Sequence, residues 1–177
     1  MSGLRQMNIS FDPIEDRLLL RITAGEPGNL DEYRIWLTRR FVQIVWKVLD
    51  QAIASEPVTD PRVPQESAGA LREFKQAAAL AGADFATPFA AEEARTPLGP
   101  APLLVAKVQI RQQPGGHHLL ILETAQGQFV NLALNSGLIH SFRKLLVDQT
   151  LKAQWGLSLG TGSGKAAFLV EAPRTIN

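Results

Sequence analysis

The stretch RLLLRITAGEPGNLDEYRIWLTRRFVQIVWKVLDQAI, residues 17–53, decides the fold. Its first residues alternate, with Leu18, Leu20 and Ile22 on one side and Arg17, Leu19 and Arg21 on the other, which is the period of a β-strand. Segment 24–32 gathers Gly25, Pro27, Gly28, Asn29 and Asp31, whose backbone preferences favour a turn. Residues 33–37 alternate again. Thr38 suits a helix N-cap, because its hydroxyl can accept from a first-turn N–H that has no partner within the helix. Phe41, Val45, Val48, Leu49 and Ala52 then recur at helical spacing as one apolar stripe. Upstream, Met7, Ile9 and Phe11 alternate with Asn8 and Ser10 until Asp12-Pro13 turns the chain. Three antiparallel strands and a helix are expected, with the helix on the Leu18, Leu20, Ile22 and Ile35 face.

Residues 118–153 repeat this order. Strand 103–111 precedes a turn at Gln113-Pro114-Gly115-Gly116, runs 118–124 and 129–134 form a hairpin, and Asn135 or Ser136 caps a helix carrying Leu138, Phe142, Leu145 and Leu146. Ile9 and Ile110, Pro13 and Pro114, Leu18 and Leu119, Leu20 and Ile121, and Thr23 and Thr124 all stand 101 positions apart. From Ile35 and Leu132 to Leu49 and Leu146 the spacing is 97, so a four-residue insertion in the first hairpin loop accounts for the change. A unit of this size buries too little surface alone and should pack on its twin. The fold class expected is α+β: two repeated βββα units in a pseudo-twofold arrangement with a helical connector. The first unit spans 1–54, the connector 55–102, the second unit 103–154 and a tail 155–177, together forming one compact domain.

The connector is rich in Pro, Ala and Glu, and its one Pro-free run predicts a helix over 67–81, ended by Gly82. Phe85 and Phe89 are the two aromatics of the otherwise polar run 84–89, which suggests docking onto a partner surface or, as the favoured version, within the chain. The tail contains a Gly-rich turn and a short strand at 167–170. Over the whole chain 18 basic residues balance 17 acidic ones, which excludes a strongly polybasic protein, and the absence of cysteine excludes disulfides and thiol chemistry. No run approaches the length of a membrane-spanning helix. A soluble, cytoplasmic protein is expected.

Familiar chemical motifs fail on spacing. In Gly160-Thr161-Gly162-Ser163-Gly164-Lys165-Ala166 one residue too few separates Gly160 from Gly164-Lys165, and Ala166 stands where a phosphate loop needs Ser or Thr for magnesium. A serine nucleophile would need Ser at the position of Gly162. His117 and His118 point to opposite faces of a strand, and His140 has no second ligand one helical turn away, so all three read as surface or turn histidines. Glu15-Asp16, Asp31-Glu32 and Glu92-Glu93 read as solvated turn acids. No enzyme, metal or cofactor is expected.

One pattern points to binding. With Leu18, Leu20, Ile22, Ile35 and Leu37 toward the helix, the outer face of the first sheet carries Arg17, Arg21, Arg34 and Trp36. The second unit offers Lys107, Gln109, Arg111 and His118, with Leu19, Leu120 and Leu122 on the same side. Cations neutralise phosphates and an aromatic ring stacks on an unpaired base. Residues 101–165 carry six basic residues against two acids, whereas 55–100 carry four against seven. Arg39 and Arg40 at the first helix start could add a phosphate contact.

The duplicated strand-strand-strand-helix order resembles the single-stranded nucleic-acid-binding modules of the Whirly and Pur-alpha type. That resemblance implies strand binding across the sheet faces and assembly through the helices. The expected function is therefore a non-enzymatic binder of single-stranded DNA or RNA through Arg17, Arg21, Arg34, Trp36, Arg39, Arg40, Lys107 and Arg111. The alternative is a protein-interaction or assembly module, with Leu120, Leu122, Phe85 and Phe89 contributing to a partner or self-association surface.

Overall fold

The computed structural model describes residues 3–55, 68–84, 89 and 94–159. The first unit comprises β1 (Leu4–Asp12), β2 (Arg17–Glu26), β3 (Asn29–Leu37) and α1 (Arg39–Ser55). After α2 (Ala68–Ala81), the second unit comprises β4 (Leu103–Gln113), β5 (His117–Thr124), β6 (Phe129–Leu134) and α3 (Ser136–Lys152). The fold is α+β, with two βββα units. Residues 85–88 and the tail segments at 160–164 and 167–170 lie outside the described residues.

The units share one six-stranded sheet in the order β1-β2-β3-β4-β5-β6. Neighbours within each unit are antiparallel, while β3 and β4 run parallel through Ile35–Leu103 and Trp36–Leu104. A parallel junction needs a long crossover, and α1, α2 and the connector supply it. The returning chain already lies along β3 at Arg95. Its carbonyl accepts from the Glu32 N–H at 2.7 Å, and its N–H donates to the Leu30 carbonyl at 2.8 Å.

Each sheet-packed helix crosses into the other unit. Rather than covering its own meander, α1 lies mainly across β4, and α3 lies across β1. This reciprocity makes the arrangement pseudo-twofold. Polar contacts fix the exchange at the end of α3. The Phe11 N–H donates to the Gln149 side-chain oxygen at 3.2 Å, and the Trp155 indole N–H donates to the Asp16 carboxylate at 2.7 Å. Trp155 also meets Phe11 edge-on at 5.8 Å. Between the helices, Arg143 pairs with Asp50 at 3.1 Å and lies 4.3 Å from the centroid of the Trp46 ring. Burial pushes the Arg143 guanidinium below its usual range, with Asp50 opposing the shift. Helix α2 packs on α3 from the far side, so α3 is covered on two sides and buries His140, which the sequence reading had placed at the surface.

Register corrects the second unit's predicted faces. The β1–β2 turn spans the four residues between paired Asp12 and Arg17; the β4–β5 turn spans three, between paired Gln113 and His117. That one-residue deletion moves the spacing of matched residues from 101 in β4 to 100 in β5. Because side chains alternate, a one-residue shift exchanges the faces. Leu120 and Leu122 are fully buried toward the helices with His118, while Leu119 and Ile121 face outward. Structurally, Leu20 therefore corresponds to Leu120 rather than Ile121, and Arg21 to Ile121.

The first hairpin is also longer than its turn-forming composition suggested. Pairing continues to Glu26–Asn29 around the two-residue turn Pro27-Gly28. Gly28 has φ +82°, and Pro27-Gly28 is the composition of a type II turn. At Gly25 a Cβ would stand 2.4 Å from the Asn29 carbonyl oxygen, so only glycine allows the strands to approach there. The extra residues of the first unit are thus strand, not loop.

Candidate functional site

One face of the sheet carries all the described helices, and the other carries none. On the helix-free face stand Asn8 and Ser10 of β1, Arg17, Leu19 and Arg21 of β2, and Glu32, Arg34 and Trp36 of β3. It continues with Lys107, Gln109 and Arg111 of β4, Leu119, Ile121 and Glu123 of β5, and Phe129, Asn131 and Ala133 of β6. Six of the eight predicted binding residues share this surface. Arg39 and Arg40 do not, since they begin α1.

The cations are largely engaged. Glu32, with a fully buried side chain, accepts from Arg21 Nε and Arg34 Nη2, each at 2.7 Å. Both arginine side chains remain 30% exposed, so water still reaches them. Burial alone would raise the Glu32 pKa, but the hydrogen bonds and charges of Arg34 and Arg21 outweigh it and hold the carboxyl below its usual range. The connector adds a second layer. The Arg34 Nη1 donates to the Pro100 carbonyl at 2.9 Å, and the Arg21 guanidinium lies over the Phe89 ring at 4.4 Å. Phe89 thus occupies the cation–π position on Arg21 that a stacked ligand ring would otherwise take.

Elsewhere, Arg17 lies 3.6 Å from Glu15 and Lys107 lies 3.7 Å from Glu123. The Arg39 guanidinium donates to the Trp155 carbonyl and so serves the helix exchange. Of the predicted cations, only Arg40 and Arg111 make no ion pair or hydrogen bond from their side chains among the described residues, and both are exposed.

The predicted pairing of Trp36 with Arg17, Arg21 and Arg34 on one face holds, because it follows from strand alternation alone. Two features escaped the sequence reading. Glu32 looked like a solvated turn acid, although it stands two residues before Arg34 on the same face, a spacing that brings carboxylate and guanidinium together in a strand. The outward Leu119, Ile121 and 57%-exposed Phe129 were hidden by the register shift. They form an apolar strip beside Lys107 and Arg111, bounded at one end by Glu123, which stands opposite Phe129.

The helix side holds a cavity of about 110 Å³ lined by Trp46, Gln76, Leu80, His140 and Arg143, among others, with neither a carboxylate nor a hydroxyl in its described lining. No cluster of three or more potential metal ligands occurs among the described residues, and none of their helices is long and apolar enough to cross a membrane. No protein-family model, curated protein or solved structure matches the chain.

Proposed function

We propose that this protein is a non-enzymatic protein-interaction module whose working surface is the helix-free sheet face. The observation that carries the reading is the juxtaposition of the outward Leu119, Ile121 and Phe129 with Arg111 and the Lys107–Glu123 pair. A burial-driven contact needs an apolar centre, and a charged rim gives it orientation and specificity. The complementary partner is a protein segment with apolar side chains flanked by carboxylates. The cysteine-free chain suits a cytoplasmic setting.

Single-stranded nucleic acid is the second reading, favoured by Trp36 standing on the same face as Arg17, Lys107 and Arg111. The partner reading ranks first because Glu32 already holds Arg21 and Arg34, which lowers the net positive charge offered to phosphates.

Peptide display against the purified protein separates the two. Selection should enrich apolar sequences flanked by Asp or Glu, and Ile121→Arg should weaken their binding about tenfold or more by placing a charge in the apolar strip. Fluorescence anisotropy with a labelled oligo-dT strand is expected to show little binding at moderate salt. Failure to enrich any peptide, together with tight salt-dependent oligonucleotide binding lost in Arg111→Glu, would reverse the ranking.

A further inference from the structure

The two edges of the sheet are built differently. At β1 the pairing is interrupted by a bulge between Leu4 and Gln6, charges stand at Arg5 and Asp12, and the outward Phe11 N–H is capped by the Gln149 side chain. Bulges, charges and side-chain caps are the devices by which proteins keep an edge from pairing with another chain. Among the described residues β6 has none of them. Its sequence, Phe-Val-Asn-Leu-Ala-Leu, contains no charge and no proline, and its pairing with β5 runs without a bulge.

The hydrogen-bond phase of β6 follows from its hairpin. The Thr124 N–H donates to the Gln128 carbonyl at 2.8 Å, so the pairs at every second step, Leu122–Val130, Leu120–Leu132 and His118–Leu134, exchange the ladder bonds. The N–H and C=O groups of Phe129, Asn131 and Ala133 therefore point out of the sheet edge. Phe129, Asn131 and Ala133 are also exposed. Three adjacent outward positions centred on one residue make a self-complementary edge.

We propose that β6 pairs antiparallel with β6 of a second copy of this chain, about a twofold axis at Asn131. In that register Asn131 stands opposite Asn131 and Phe129 opposite Ala133. Every outward β6 backbone group finds a partner, giving about six new ladder bonds. On the helix side Val130 meets Leu132, so apolar faces apolar across the junction. A two-residue shift in one direction would leave Phe129 opposite Asn135, whose side chain already caps α3 by accepting from the Leu138 N–H at 2.8 Å, and in the other would set Ala133 opposite Gly127, outside the strand. Pairing of β6 with β1 of another copy is disfavoured by the bulge and the Gln149 cap. The resulting dimer joins two sheets into one surface. It extends beyond the partner reading and does not depend on it.

Charge reversal on the axis supplies the test. Sedimentation velocity up to about 100 µM should show wild-type dimers, a range in which a modest interface is populated. Asn131→Lys sets two ammonium groups face to face and should weaken self-association about tenfold or more, as Asn131→Asp should with two carboxylates. Mixing the two variants in equal amounts should restore a dimer. Circular dichroism and thermal melting should leave each variant folded, since Asn131 is exposed. A wild-type monomer throughout this range, or a dimer that Asn131→Lys leaves intact, overturns the proposal. The experiment is read without any partner peptide, so its outcome is separate from that of the open-face test.

Discussion

Leu120→Ala is expected to cost about 3–4 kcal/mol of stability, within the range for truncating a fully buried leucine, whereas Leu119→Ala should cost less than about 1 kcal/mol. Leu120 is 0% exposed in the common core, while Leu119 stands on the helix-free face. The pair is informative because the sequence alignment of the repeats assigns the roles the other way round. Urea denaturation of the two variants measures the difference directly. Equal costs, or a larger loss at Leu119, would mean that β5 is registered as Leu18 with Leu119 and not as the one-residue shorter turn dictates.

Glu32→Gln is expected to destabilise the protein by about 2–4 kcal/mol, because it leaves Arg21 and Arg34 close together without the buried carboxylate between them. The partial exposure of both guanidinium groups keeps the loss at the lower part of the range for a broken buried pair. The same site sets a pH dependence. A carboxyl held below its usual range in the folded state contributes stability that is fully present above its unfolded pKa, about 4.3 for glutamate, and is lost as pH falls toward the folded value. Wild-type stability should therefore decline below about pH 4.3 more steeply than that of Glu32→Gln, and melting curves at several acid pH values measure the two slopes. Identical slopes would mean that Glu32 is not held as the two 2.7 Å contacts require.

Element type was legible because it is written locally. Alternation at 18–22 and 33–37 and the apolar stripe through Val45, Leu49 and Ala52 need only neighbouring residues to be read. The α2 boundaries were equally plain from a Pro-free run. The faces of β5 were not, for a specific reason. In Leu119-Leu120-Ile121-Leu122 both sides of the strand are apolar, so alternation does not choose a face, and only the length of the preceding turn decides. Matching Pro13 to Pro114 concealed the missing residue. Helix exchange was invisible for another reason. An apolar stripe states that a helix is buried, but not on which strands, and α1 could satisfy it on either unit.

The site divides along the same line. Arg21, Arg34 and Trp36 share a face by parity, so the sequence reading brought them together. Their chemistry depends on Glu32, masked by the turn formers around it, and on Phe89 and Pro100, which reach the sheet from the connector. Those contacts span more than sixty positions and leave no local signature.

Site-specific photo-crosslinking is the most direct measurement of whether the helix-free face is a protein-binding surface. A benzophenone side chain placed at Ile121, with exposed Lys47 on α1 as the helix-side control, would report what touches each side in cells making the protein. The expected result is discrete protein adducts at position 121, lost when Leu119→Arg is added, and few at position 47. Nucleic-acid adducts at 121, or protein adducts confined to 47, would contradict it.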